Sequence, residues 1–112
     1  MKIYHNPRCS KSRQGLAILK DAQVEPEIID YIKNPISFEE LSDILHKLAI
    51  PAIDLVRKNE AVWKENFKNK ELNENEVIEA MVTFPKLIER PIVIKGELAV
   101  IGRPPEKIKE LF

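Results

Sequence analysis

A single cysteine, Cys9, lies within His5-Asn6-Pro7-Arg8-Cys9-Ser10-Lys11-Ser12-Arg13, at the end of a short apolar run and the start of a helical pattern. The thiolate is the nucleophilic form of cysteine. Helix N-termini and nearby cations lower its pKa from about 8.5 toward roughly 3.5–7.5. Arg8, Lys11 and Arg13 surround the residue in sequence, and no acidic residue precedes Asp21. The local field therefore favours an anion, either the thiolate itself or a bound oxyanion. A lone cysteine is more commonly a small buried core residue; the cationic flanks argue against that here. Where a redox protein would carry C-x-x-C, this chain reads Cys9-Ser10-Lys11-Ser12. The Ser12 hydroxyl can donate a hydrogen bond to a thiolate but cannot form a disulfide; its plainer role is that of a first-turn helix residue. Any redox cycle through Cys9 must borrow its second thiol from another molecule.

The arginines are the second informative set. Beyond Arg8 there are Arg13, Arg57, Arg90 and Arg103, against 13 lysines in the chain. A guanidinium offers a rigid fork of donors that matches tetrahedral oxyanions and carboxylates. Arg90-Pro91 and Arg103-Pro104 stand at the starts of a strand and a helix, and Arg57 follows the Leu55-Val56 end of a short helical segment. Ends of elements are where the active sites of open α/β folds gather. His5, four residues before Cys9, is a candidate base or orienting donor, although a strand-end histidine is more often structural. His46 falls on a helix surface and takes no role. One cysteine and two distant histidines show no metal-ligand spacing. Trp63 and Phe67, at helical spacing, form a core contact.

Bulk properties set the frame. The chain has 112 residues, 44% hydrophobic and 32% charged, with 18 basic and 18 acidic side chains. That is enough for one domain with its own core, and the balanced charge gives no overall field toward nucleic acid or an anionic membrane. No apolar run approaches the length of a membrane span, and no signal-peptide segment follows Met1. Without a cysteine pair, a reducing cytoplasm is the expected compartment.

The elements that must position these residues follow from periodicity and punctuation. Lys2-Ile3-Tyr4-His5 reads as a strand that ends at Asn6-Pro7. A helix is expected over residues 10–22, with Leu16, Ala17 and Leu19 on or near one face, and Glu27-Ile28-Ile29-Asp30-Tyr31 is a second strand. Two strands joined by a helix suggest a parallel βαβ unit. After Asn34-Pro35, Ser37 with Glu40 caps a helix striped by Phe38, Leu41, Leu45 and Leu48. Pro51 begins a further short helix through Val56. A polar loop covers residues 66–75, and Asn73 with Glu76 caps a helix carrying Val77, Ile78, Met81 and Phe84. Pro91-Ile92-Val93-Ile94-Lys95 and Leu98-Ala99-Val100-Ile101 flank Gly96-Glu97, a two-residue hairpin turn. Pro104-Pro105 open a terminal helix whose core side carries Ile108, Leu111 and Phe112. The order β-α-β, helices, β-β-α implies an α/β fold. A mixed four-stranded sheet has flanking helices and an all-helical insertion.

Four segments resemble the glutaredoxin-dependent arsenate reductase family: Tyr4-His5-Asn6-Pro7-Arg8-Cys9 with Ser12-Arg13, Leu55-Val56-Arg57-Lys58-Asn59, Glu89-Arg90-Pro91-Ile92-Val93, and Gly102-Arg103-Pro104. They span nearly the whole chain in the family's order. The resemblance implies a thioredoxin-like fold in a single domain, residues 1–112. Its core would cover residues 1–33 and 86–112, and its helical insertion residues 34–85. It implies that Cys9 is the nucleophile and that Arg57, Arg90 and Arg103 hold the oxyanion. His5, Ser12 and Arg13 would support the thiolate, and Pro91 would be a cis proline beside it. Arg8 and Ser10 depart from the small residues that flank the cysteine in the family.

Under that resemblance the thiolate attacks arsenate. No cofactor is bound; glutathione is the external reductant, and a glutaredoxin partner regenerates the thiol as arsenite leaves. A cytoplasmic monomer that binds neither nucleic acid nor membrane is expected. Two alternatives remain. One is an Spx-like redox transcription regulator without catalysis, although that type favours a cysteine pair. The other is a general glutathione-dependent thiol oxidoreductase.

Overall fold

The computed structural model describes residues 1–112, which divide into two compact units. The first comprises Met1–Asn34 and Arg90–Phe112, the second Pro35–Glu89. The first unit carries a four-stranded mixed sheet built from β1 (Lys2–His5), β2 (Glu27–Asp30), β3 (Ile92–Lys95) and β4 (Leu98–Ile101), in the order β2-β1-β3-β4. β1 runs parallel to β2, with Tyr4 opposite Ile29 and His5 opposite Asp30. β1 runs antiparallel to β3, with Ile3 opposite Val93, and β3 antiparallel to β4. The parallel pair needs a crossover, and α1 (Ser10–Asp21) supplies it. Gly96, at φ +60, makes the hairpin turn, a conformation that costs glycine little.

Alternation along the strands sends Ile3 and Val93 to one sheet face. There they form a core with Leu19, Ile108 and Leu111, edged by Leu16, Val24 and Val100. Ala17 is exposed, so the apolar stripe of α1 is narrower than its sequence suggests; Ser12 and Gly15 occupy buried positions instead. The terminal segment Pro105–Leu111 is a 3-10 helix rather than an α-helix. Its buried residues Pro105, Ile108 and Leu111 recur every third position, the spacing at which 3-10 side chains eclipse. Phe112 stands 54% exposed, outside the core.

The second unit is helical. α2 (Phe38–Leu48) is capped by Ser37, whose hydroxyl accepts from the Glu40 N–H, and α4 (Glu74–Thr83) by a full capping box between Asn73 and Glu76. Between them lie a 3-10 turn (Ala52–Leu55) and the short α3 (Ala61–Asn66). Trp63 and Phe67 stack at 5.2 Å as expected, and Phe84 meets Phe67 edge-on at 6.0 Å. Val56 and Ile88 form a single antiparallel bridge, which brings Arg57 N–H to the Leu87 carbonyl at 2.7 Å. No helix is long and apolar enough to cross a membrane.

Two glycines hold the first unit tightly closed. A Cβ built on Gly15 would lie 2.8 Å from Pro91 Cγ and 2.9 Å from Ile108 Cδ1, and one on Gly102 would lie 2.8 Å and 3.0 Å from the same atoms. Both therefore grip one proline ring, next to Arg90. Overpacking a filled site costs about 1–3 kcal/mol. We predict that Gly102→Ala lowers the unfolding free energy measured in urea by that amount; an unchanged free energy contradicts the packing.

Candidate active site

The segment linking β1 to α1 is fixed before any side chain acts. Cys9 N–H donates to the Asn6 carbonyl at 3.0 Å, which closes a four-residue turn with Pro7 at its second position, where a preset φ suits it. The Asn6 side-chain oxygen accepts from Arg8 N–H at 3.0 Å, and Arg13 Nη1 donates to the Pro7 carbonyl at 2.9 Å. Cys9 is then the N-cap residue of α1, with no side-chain capping bond. Its sulfur faces the first-turn N–H groups of Lys11 and Ser12.

Burial alone pushes the partly buried Cys9 thiol up, yet its pKa lies below the ordinary value. The Ser12 backbone N–H, a hydrogen bond and charge from the Arg90 guanidinium, and the Lys11 backbone N–H together outweigh desolvation. Arg103 adds a further contact, Nη2 to Sγ at 3.6 Å, while its Nε donates to the Arg90 carbonyl at 2.9 Å. One guanidinium thus spans the backbone of the second arginine and the sulfur. Arg90-Pro91 is cis, as the family resemblance implies, and Arg103-Pro104 is cis as well.

The cations next to Cys9 in sequence are not the ones acting on it. The side-chain charge comes from Arg90, with Arg103 in contact, whereas Lys11 contributes its backbone N–H. Arg13 braces the Pro7 carbonyl, so its support of the site runs through the loop. Of the two roles open to Ser12, its hydroxyl does not take the bond to the sulfur, and the residue sits in the first turn of α1. Its side chain is fully buried, accepts from Asn6 N–H at 3.0 Å and shares a 2.6 Å hydrogen bond with His5 Nδ1. The hydroxyl therefore knits strand end to helix start, and only the Ser12 backbone N–H reaches toward the thiolate.

His5 is buried, and burial is the main cause that lowers its pKa; Asp30 opposes this, and Arg13 and Lys20 reinforce it. Its role is that of a neutral structural partner for Ser12. Because the folded pKa lies below the unfolded value of about 6.5, the unfolded chain binds more protons as pH falls. Stability is complete above about pH 6.5 and declines below it, through the folded pKa. Urea midpoints at pH 7.5 and 5.5 should show this fall, and His5→Gln should flatten it; equal slopes for both proteins contradict the assignment.

The first unit therefore gathers Cys9, Arg90 and Arg103, with His5 and Ser12 paired beside them and Arg13 on the loop. Arg57 belongs to the second unit. There Nε lies 3.9 Å from Glu60 and Nη1 3.8 Å from Glu89, and the buried Nη1 makes no hydrogen bond. Sequence reading missed Asn6, whose carbonyl, amide N–H and side-chain oxygen are all engaged. An Asn-Pro pair just before the nucleophile was the available signal, since Asn readily bonds to the backbone two residues on.

The arrangement favours the thiolate form of a sulfur at a helix start, with the Arg103 guanidinium in contact and Arg90 adding charge. The pH dependence of iodoacetamide alkylation checks this: the rate should fall with a midpoint below the ordinary thiol value of about 8.5. A midpoint at or above it contradicts the electrostatics.

Residues 4–111 match the ArsC family. The uncharacterized protein YfgD of Escherichia coli strain K12 is 48% identical over 113 residues, covering 99% of this chain and 95% of its own length. The arsenate reductase of Haemophilus influenzae is 42% identical over 112 residues, covering 98% and 97%. Among solved structures, an arsenate reductase from Vibrio cholerae superposes with a TM-score of 0.95 at 40% identity, over 99% of this chain and 96% of that one. The mixed sheet with flanking helices is thus the thioredoxin-like fold of these relatives. With matches this complete at the levels of both sequence and fold, the chain belongs to the ArsC family.

Proposed function

We propose that this protein reduces arsenate to arsenite, with Cys9 as the nucleophile. The observation that carries the proposal is the placement of the partly buried Cys9 sulfur at the start of α1, 3.6 Å from Arg103 Nη2, with Arg103 Nε bonded to the Arg90 carbonyl. Two anions repel, so a thiolate approaches an oxyanion only where cations neutralise both. Arg90 and Arg103 supply that charge at the sulfur, and the first-turn N–H groups of α1 favour negative charge beside it. Arg57 is a third guanidinium for the oxyanion, a role that rests on the family resemblance.

The Cys9 sulfur bonds to arsenic, and an arsenate oxygen leaves as water after taking up protons. Arsenic is still pentavalent in this adduct. Glutathione then attacks, and a glutaredoxin supplies the second thiol equivalent. Two external thiols become one disulfide, their two electrons reduce arsenic to the trivalent state, and hydrolysis of the Cys9–arsenic bond returns the thiol and releases arsenite. No bound cofactor is needed, and the absence of a second cysteine in the chain makes the external thiols obligatory.

The test is arsenate-dependent oxidation of reduced nicotinamide cofactor in a system coupled through glutathione, glutaredoxin and glutathione reductase. Turnover of a glutathione mixed disulfide without arsenate turnover would favour the general thiol oxidoreductase.

A further inference from the structure

In the second unit, backbone bonds fix Arg57 before its side chain acts. Val56 and Ile88, both extended and both buried, pair across an isolated antiparallel bridge. On either side of it, Arg57 N–H donates to the Leu87 carbonyl at 2.7 Å and Glu89 N–H to the Leu55 carbonyl at 2.9 Å. Arg57 and Glu89 each follow a bridge residue, so alternation sends both side chains to the face opposite Val56 and Ile88. They are diagonal neighbours there, within reach of long side chains. Glu60 N–H donates to the Arg57 carbonyl at 3.2 Å, which returns Glu60, the N-cap of α3, to the same guanidinium.

The guanidinium is held by charge and hydrogen-bonded to neither carboxylate. Nε lies 3.9 Å from Glu60 Oε1 and Nη1 3.8 Å from Glu89 Oε1, beyond the roughly 2.7–2.9 Å of a charge-assisted hydrogen bond. Nη1 is nevertheless buried and makes no hydrogen bond. A buried donor left without a partner is costly, and in a native structure it calls for an account. The three side chains are 25%, 29% and 26% exposed for Arg57, Glu60 and Glu89, so their attraction is screened less than at an open surface. An arginine paired with one carboxylate commonly commits its fork bidentately. Here two carboxylates share the charge and leave the fork uncommitted.

We infer that Glu89, assisted by Glu60, is a positioning residue that aims Arg57 at the oxyanion, fixing the guanidinium by charge while keeping its Nη1 donor for the substrate. The inference rests on the reading of Arg57 as an oxyanion-holding residue and adds the groups that hold it in place. Removing one carboxylate leaves a buried cationic nitrogen with less compensation, and the guanidinium should turn toward water. Two effects then oppose each other. Deleting a negative charge by itself favours a nearby anion, whereas losing the aim of Arg57 disfavours it. A screened charge counts for less than a direct guanidinium–oxyanion bond, so the second effect should win.

Protection of Cys9 by arsenate against iodoacetamide reads oxyanion binding without a glutaredoxin or turnover, each variant being referred to its own rate without arsenate. Glu89→Gln, nearly isosteric, should raise the half-protecting arsenate concentration by about threefold to tenfold, and Glu60→Gln by less. Glu89→Asp, which keeps the charge, should recover part of the loss. Arg57→Ala should also raise that concentration, and adding Glu89→Gln to it should change nothing further, because Glu89 acts through Arg57. A general charge effect or a loosened fold would persist in the Arg57→Ala background. An unchanged or lower half-protecting concentration in both glutamine variants overturns the inference, as does a Glu89→Gln effect of equal size with and without Arg57. In either case, protection of the parent protein leaves the arsenate reading standing. Absence of protection in the parent protein overturns both.

Discussion

Replacing Cys9 by serine is expected to reduce arsenate turnover to background, a loss on the order of 10³-fold or more, while the protein stays folded. The hydroxyl cannot ionise near neutral pH, so no anionic nucleophile forms however well the surrounding donors are placed. The fold should tolerate the change unusually well. Cys9 is the N-cap of α1, with the extended backbone of that position. Serine is among the preferred N-cap residues and can accept from a first-turn N–H. An unfolding midpoint equal to or above that of the parent protein, together with absent activity, is therefore the expected pair of results. Retained turnover would show that the chemistry lies elsewhere.

Arg103→Lys should be the next most damaging change. Arg103 does two things with one planar group: Nε holds the Arg90 carbonyl at 2.9 Å, and Nη2 meets the Cys9 sulfur at 3.6 Å. Lysine keeps the charge but is a single point donor on a flexible stem. It can serve the carbonyl or the sulfur, not both. Removal of one donor aimed at developing charge typically costs about 10²–10³ in rate. We expect about a 10²-fold fall in kcat/KM for arsenate, with the Cys9 alkylation midpoint moved toward higher pH. A variant with full activity and an unshifted midpoint would show that the fork geometry is dispensable.

Sequence patterning reached the frame of this site more readily than its wiring. Proline and glycine punctuation marked Asn6-Pro7 and Gly96, and short apolar runs marked β1, β3 and β4; the parallel crossover followed from the strand–helix–strand order. The terminal segment looked α-helical because an i, i+3 pair such as Ile108 and Leu111 suits either helix type. Only the strict third-residue recurrence from Pro105 gives the 3-10 form away. The electrostatics of Cys9 were legible in sign but not in source. Proximity in sequence pointed to Arg8, Lys11 and Arg13, whereas the contacting guanidiniums come from Arg90 and from Arg103, 94 residues along the chain. Side-chain direction is set by packing that a linear pattern does not encode. For the same reason spacing left both a thiolate bond and a plain first-turn role open to Ser12, and its hydroxyl turns to His5 and Asn6.

The most direct measurement is the arsenate-dependent rate of reduced nicotinamide cofactor oxidation, coupled through glutathione, glutaredoxin and glutathione reductase, for the parent protein and for Cys9→Ser side by side. A rate that rises with arsenate for the parent protein and stays at background for the variant is the predicted result. A flat trace for the folded parent protein across several glutaredoxins, or equal rates for the two proteins, contradicts arsenate reduction through Cys9.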